Sequence, residues 1–134
     1  MKWTFAIACI LAALAINTVA HAQTTITLNF TAVGDDSLTG IANKYDLRWS
    51  ISRPDTTSQI SKDAWWVGAV QVTGLPAPLV SGSPQSISTG GFLQGTYYFV
   101  LRVKDEVGNW SDWSNVAIKS VTDAIRPAPI RDLR

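Results

Sequence analysis

Gly95–Asn115, GTYYFVLRVKDEVGNWSDWSN, decides the fold. Its first half alternates. Tyr97, Phe99, Leu101 and Val103 fall on one side, and Tyr98, Val100, Arg102 and Lys104 on the other. A strand turns successive side chains to opposite faces, so this period of two predicts a half-buried strand. The first set is apolar apart from one phenol and should face a core. The second carries two cations and should face water or a flat partner. Asp105–Asn109 supplies turn residues, with Gly108 and Asn109 able to take positive φ. Beyond the turn, WSDWS at Trp110–Ser114 sets two indoles three residues apart, close to the cations of the strand, which predicts stacking.

Working outward, the same signature recurs. Thr25–Phe30 alternates with Ile26, Leu28 and Phe30 inward. Lys44–Trp49 alternates with Tyr45, Leu47 and Trp49 inward. Ser52–Asp63 is polar, holds Pro54 and reads as a loop. Ala64–Val72 is apolar, carries Trp65 and Trp66, and reads as an edge strand. Gly74–Pro84 holds three prolines and cannot be a central strand. Gln85–Thr89 is a short strand with Ile87 inward, and Asn115–Val121 is the last, with Val116 and Ile118 inward. With Phe92, these inward residues form the expected core. Short strands separated by turn signals, with no helical period after the first 22 residues, predict an all-β sandwich.

The chain has 134 residues, 11 basic and 10 acidic. One domain fits that length. Residues 1–22 read as an export signal. Lys2 is a basic start, Phe5–Ile16 an apolar run, and Ala20-His21-Ala22 a small-x-small cleavage site before Gln23. Asn17 and Thr18 interrupt the run, whereas a membrane span needs about 20 apolar residues. The apolar stretch before Cys9 is too short for a lipid-modified cysteine. Cleavage would remove Lys2, His21 and Cys9, leaving equal numbers of cations and anions and neither Cys nor His. That balance offers no electrostatic reason for nucleic acid or an anionic membrane as partner. It also leaves no disulfide, thiolate, imidazole base or soft metal ligand. The expectation is a secreted, extracellular or periplasmic, non-catalytic domain over residues 23–121 with no cofactor and no metal.

Together, LNFTAVGDD (Leu28–Asp36), KYDLRWS (Lys44–Ser50), QVTGLPAP (Gln71–Pro78) and DEVGNWS (Asp105–Ser111) resemble the fibronectin type III domains of secreted bacterial proteins. The resemblance covers Thr25 to about Val121. It implies a two-sheet, immunoglobulin-like Greek-key sandwich. Tyr97 then matches the tyrosine of the family's corner, whose hydroxyl bonds nearby backbone. Tyr98 is the alternative, because Phe92–Tyr97 is one residue shorter than usual. Phe30 stands where the family carries a Trp, and Trp49 is a candidate to fill the volume. WSDWS is similar to the WSXWS motif of cytokine-receptor domains. The likeness implies that Trp110 and Trp113 interleave with Arg102 and Lys104, with Arg48 beside them, as shared packing and not as cytokine binding. The opening strand of the family is missing. Arg126–Leu133 resembles such a strand, so residues 122–134 are either a linker into a next module or a strand supplied to this domain or a neighbour.

The resemblance implies a spacer or docking module that contacts other domains or proteins at the cell surface. The alternative is a carbohydrate-binding module using Trp65, Trp66 and Tyr98 as a stacking face, with polysaccharide as partner. Asp35-Asp36, and Asp105 with Glu106 and Asp112, carry enough oxygens to raise calcium, but both read first as turns. As paired carboxylates for acid–base work they lack a pocket and a partner cation. Asn29–Thr31 and Asn109–Ser111 are glycosylation sequons, which the resemblance to bacterial domains implies are coincidental.

Overall fold

The computed structural model describes residues 23–36, 38–123 and 128–131. The export signal expected over residues 1–22 lies outside them, as does most of the tail beyond residue 123. In chain order the elements are β1 (Thr24–Thr31), β2 (Lys44–Ser50), α1 (Gln59–Gly68), β3 (Val70–Gln71), β4 (Pro84–Phe92), β5 (Gly95–Lys104) and β6 (Ala117–Val121). They form an all-β sandwich with one short helix. One sheet is β1-β4, the other β3-β2-β5-β6, and every pairing is antiparallel.

The alternation of β5 sorts as its sequence demands. Tyr97 and Phe99 are buried, and Leu101 and Val103 pack on the core half-buried. Register with β2 sets Leu47 opposite Leu101 and Trp49 opposite Phe99, so both strands turn the same face inward. Ile26, Leu28 and Ile87 close the core from the two-stranded sheet. Leu47 and Phe99 are each 1% exposed. Truncating either to alanine would cost about 2–5 kcal/mol, because such a site cannot collapse fully. Rings meet edge to face at one end: Trp49 lies 5.1 Å from Phe92 and 5.4 Å from Tyr97, and Phe92 lies 4.8 Å from Tyr97. The ring beside Phe30 is Tyr45 at 5.3 Å, so Trp49 serves the opposite end of the core.

The core also holds a polar clamp. The Tyr45 hydroxyl donates to Gln85 Oε1 at 2.7 Å, and Gln85 Nε2 donates to the Ala77 carbonyl at 2.7 Å. Gln85 is buried, so these bonds satisfy it and tie the proline-rich loop to the sandwich. Burial raises the Tyr45 phenol above its ordinary range, partly offset by a bond from the Leu79 backbone.

Two expectations fail. Residues 59–68 form a helix where a loop and an edge strand were expected, and only Val70–Gln71 pairs with β2. Ser58 caps the helix, its Oγ accepting from Ser61 N at 3.1 Å, and Gln59 Nε2 reaches Asp63 Oδ1 at 2.7 Å. Its packing side is Ser61, Trp65 and Ala69 with Lys62 and Trp66, at a spacing of four, while Ile60 and Val67 are exposed. The second failure is β6, which starts at Ala117. Ile118 is 52% exposed and Val116 lies outside the core cluster, whereas Ala117 packs on that cluster and Val121 belongs to it. Phe99 pairs with Ala117 and Gly95 with Val121, which sets this parity.

Candidate functional site

Helix α1 lies on the outer face of the four-stranded sheet, the face that Arg48, Val100 and Arg102 share by parity. Arg48 sits opposite Val100, and Arg102 opposite Asp46. Val100 is 1% exposed although it points away from the core, as a residue roofed by the helix would be. Arg48 Nη1 donates to the Trp66 carbonyl at 2.9 Å, and Trp65 Nε1 donates to the Ser52 carbonyl at 2.7 Å. The buried Asp46 accepts from Arg48 Nη2 at 3.1 Å, Arg48 Nε at 3.2 Å and Gln71 Nε2 at 3.1 Å. The Arg48 guanidinium is thereby held in one orientation, with its carbon 4.7 Å from the Trp66 ring.

Cations and rings then alternate. Arg102 lies 5.2 Å from Trp66 on one side and 5.6 Å from Trp110 on the other, and Lys104 lies 5.6 Å beyond Trp110. The order is Arg48, Trp66, Arg102, Trp110, Lys104. Trp66, expected on a ligand face, takes the slot between the arginines. Trp113, expected in that slot, instead packs 5.4 Å from Trp65 and 5.8 Å from Trp66, with Lys62 5.8 Å from its ring. The helix accounts for the exchange, because it brings Trp66 down onto the sheet before the Trp113 segment passes over it.

The serines explain why WSDWS lies flat. Ser111 N donates to the Val103 carbonyl at 2.8 Å while Ser111 Oγ accepts from Val103 N at 3.0 Å. Ser114 repeats both bonds with Leu101, at 3.0 Å each. Both serine hydroxyls donate onward, to the carbonyls of Asp112 and Asn115. The segment thus adds to β5 with a period of three against the strand's two. That period sends Trp110 and Trp113 to the same side, and Arg102 Nε adds a bond to the Ser111 carbonyl at 3.0 Å. Lys62, Ser111 and Ser114 were missed from sequence. The serines had a signal, since W-S recurs at a spacing of three. Lys62 had none until the helix was known.

The other candidates resolve into local structure. The Tyr97 hydroxyl donates to the Leu93 carbonyl at 2.9 Å, four residues back. Tyr98 is half-buried on the outer face, opposite Ser50 and Ile118. Trp65 and Trp66 are also half-buried, and both rings are engaged by Trp113. Asp105 Oδ1 accepts from Gly108 N at 2.6 Å and Asn109 N at 2.7 Å, closing the turn. Loss of water pushes its carboxyl upward, but the bonds from Asn109, Gly108 and Val107 outweigh that and hold it below the ordinary range. Asp112 is held low by the Trp113 backbone N–H and then by Lys62, 3.6 Å away. Asp35 and Asp36 form a turn with Thr39. Among the described residues, no group of three His, Cys, Asp or Glu is placed to hold a metal ion, and no helix is long and apolar enough to cross a membrane. Set against family models, curated proteins and solved structures, the chain returns no match.

Proposed function

We propose that this chain is a non-catalytic, exported module of the fibronectin type III kind that spaces or docks other proteins at the cell surface. The five-membered ladder carries this reading. It commits Trp66 and Trp110 to cations of their own chain. Trp65, on the helix, is engaged by the Trp113 ring. Side chains that could have served a ligand brace a rigid outer face. The corner bond of Tyr97 and the two-sheet core support the same family reading.

The alternative, sugar stacking on Trp65, Trp66 and Tyr98, is disfavoured by ring orientation. Trp65 and Trp66 meet Trp113 at 61° and 38°, so the indoles form a cluster and not a platform. A glycan array probed with the full chain and with Trp65→Ala separates the two. The docking reading expects no bound glycan. Binding by the full chain that Trp65→Ala abolishes would replace it with the carbohydrate reading. Hydrolase activity that copurifies with the chain and is lost in Asp105→Asn or Asp112→Asn would overturn the non-catalytic assignment.

A further inference from the structure

Strand β1 is bonded on one side only, to β4, and among the described residues nothing pairs with its other edge. Exposed edges are templates for pairing, and proteins usually guard them with charge, proline, shortness or bulges. The other outer strands carry such guards. β3 has two residues, β6 has five with Lys119 among them, and β4 begins at Pro84 and contains Gly90 and Gly91. β1 runs for eight residues, TTITLNFT, without a charge or a proline. The one irregularity of its pairing lies at the very start, where Thr24–Ile26 faces Thr89–Phe92 and the extra residue belongs to β4. A sheet of two strands is also marginal by itself.

An apolar groove follows this edge. It lies between β1 and the Ser114–Ala117 stretch of the opposite sheet, with Leu28, Phe30, Leu101 and Ala117 on its walls. Phe30 and Leu101 are only partly buried there. The groove continues past Asn29 and Thr31 toward Ser111. Apolar walls thus stand beside a β1 edge that pairs with nothing among the described residues.

One segment on the page fits it. Ala128–Arg131 belongs to no strand and is exposed, with Ile130 79% exposed. In an antiparallel strand the N–H and C=O of one residue point to the same edge, and successive residues point to opposite edges. Pro127 and Pro129 are two apart, so the donors they lack fall on one edge. Ala128 and Ile130 keep theirs on the other. Their side chains also share a face, as a groove that takes apolar groups requires. Such a segment can pair on one side only, which makes it a terminal strand that stops further growth. We propose that the free edge of β1 and its groove receive Ala128–Arg131 of a second copy of this chain as an added antiparallel strand. The proposal rests on the docking reading and names its partner.

The topology favours a second copy over the chain's own tail. Val121 lies opposite Gly95, and Thr24 opposite Phe92, so β6 ends beside the start of β1. A tail folding back within one chain would run parallel to β1. Every pairing in this sandwich is antiparallel, and parallel pairs are slightly weaker per residue. A segment from another molecule is free to run antiparallel. Reciprocal donation then closes a two-fold dimer.

The test uses the full chain carrying Cys9→Ser. Sedimentation at rising concentration should give a dimer. Ile130→Asp should weaken it roughly ten- to a hundredfold, the value of burying one large aliphatic side chain, while the dilute protein melts unchanged because Ile130 is exposed in the single chain. Asn29→Cys and Arg131→Cys, made in separate chains, mixed and treated with a short bis-maleimide, should yield a cross-linked dimer. A cross-link within single molecules of the double variant would instead assign the groove to the chain's own tail. Dimers from Asn29→Cys alone would assign it to pairing of two β1 edges. Either result overturns the proposal, as does a monomer without cross-link at every concentration. None of these three touches the docking reading, which falls only on the glycan and hydrolase experiments.

Discussion

Replacing Trp66 with alanine removes the ring that two arginines share, 4.7 Å from Arg48 and 5.2 Å from Arg102. Truncating a fully buried Trp costs about 3–5 kcal/mol, so the half-buried indole is worth about 2. Two cation–π contacts add about 0.5–1 kcal/mol each. The expected loss is about 3–4 kcal/mol, a large part of a small domain's stability. At about 4 °C per kcal/mol for a chain of this size, the melting temperature should fall by about 12–16 °C. Thermal melts followed by circular dichroism measure it, with urea titration giving the free energy directly. Trp113→Ala is the control. Trp113 touches the helix and Lys62 but stands outside the alternation, so it should cost about half as much. If Trp113→Ala costs more than Trp66→Ala, the ladder runs as expected from sequence and the helix is a passenger. A loss below about 1 kcal/mol for Trp66→Ala would mean that the cations gain nothing from the ring.

Further predictions follow from the same contacts. Tyr97→Phe removes the bond to the Leu93 carbonyl and should cost about 0.5–1.5 kcal/mol, while Tyr98→Phe should leave the melt unchanged. Ser114→Ala deletes the acceptor for Leu101 N and should cost about 1 kcal/mol, with faster hydrogen exchange at that amide. Asp55, Asp105 and Asp112 are all held below the ordinary carboxylate range: Asp55 chiefly by the Thr57 side chain, Asp105 by bonds that outweigh the cost of leaving water, and Asp112 chiefly by the Trp113 N–H. A lowered folded value means that their stabilisation is full above the unfolded value of about 3.9 and is lost as pH falls through the folded values. Melting temperature should therefore drop below about pH 4, and less steeply in Asp112→Asn. At the alkaline end the raised Tyr45 phenol favours the folded state fully below the unfolded value of about 10, and this is lost as pH rises through the folded one. Tyr45→Phe should flatten that limb.

β5 and its partners were legible because a strand buried on one face writes its period into the sequence, as Tyr97, Phe99 and Leu101 do. The helix was not legible, because its packing stripe is apolar only in part. Ser61 and Lys62 lie on the buried side, while Ile60 and Val67 face water. Adjacent tryptophans read as one inward and one outward residue of a strand, but adjacent helical positions diverge by only about 100° and both can reach the sheet. The Ser58 cap was the available signal, and a serine in a polar stretch is too common to decide. The parity of β6 was misread because Val116 and Ile118 are more apolar than Ala117. Backbone bonds from Ser114 to Leu101 hold the chain in its period-three course before β6 starts, and pairing then turns Ala117 and Val121 inward. Of the ladder, Arg102, Lys104 and Trp110 follow from alternation and the turn. Trp66 depends on the helix, which is a tertiary fact.

The central claim is that the indoles are bound to cations of their own chain and not held open for a ligand. Side-chain proton shifts of Arg48 and Arg102 test it most directly, because a ring 4.7–5.2 Å away shields them. The account predicts strongly upfield methylene signals for both arginines, with cross-relaxation to the Trp66 ring, unchanged by added oligosaccharide. Arginine signals at ordinary positions, or signals that move when sugar is added, would contradict it.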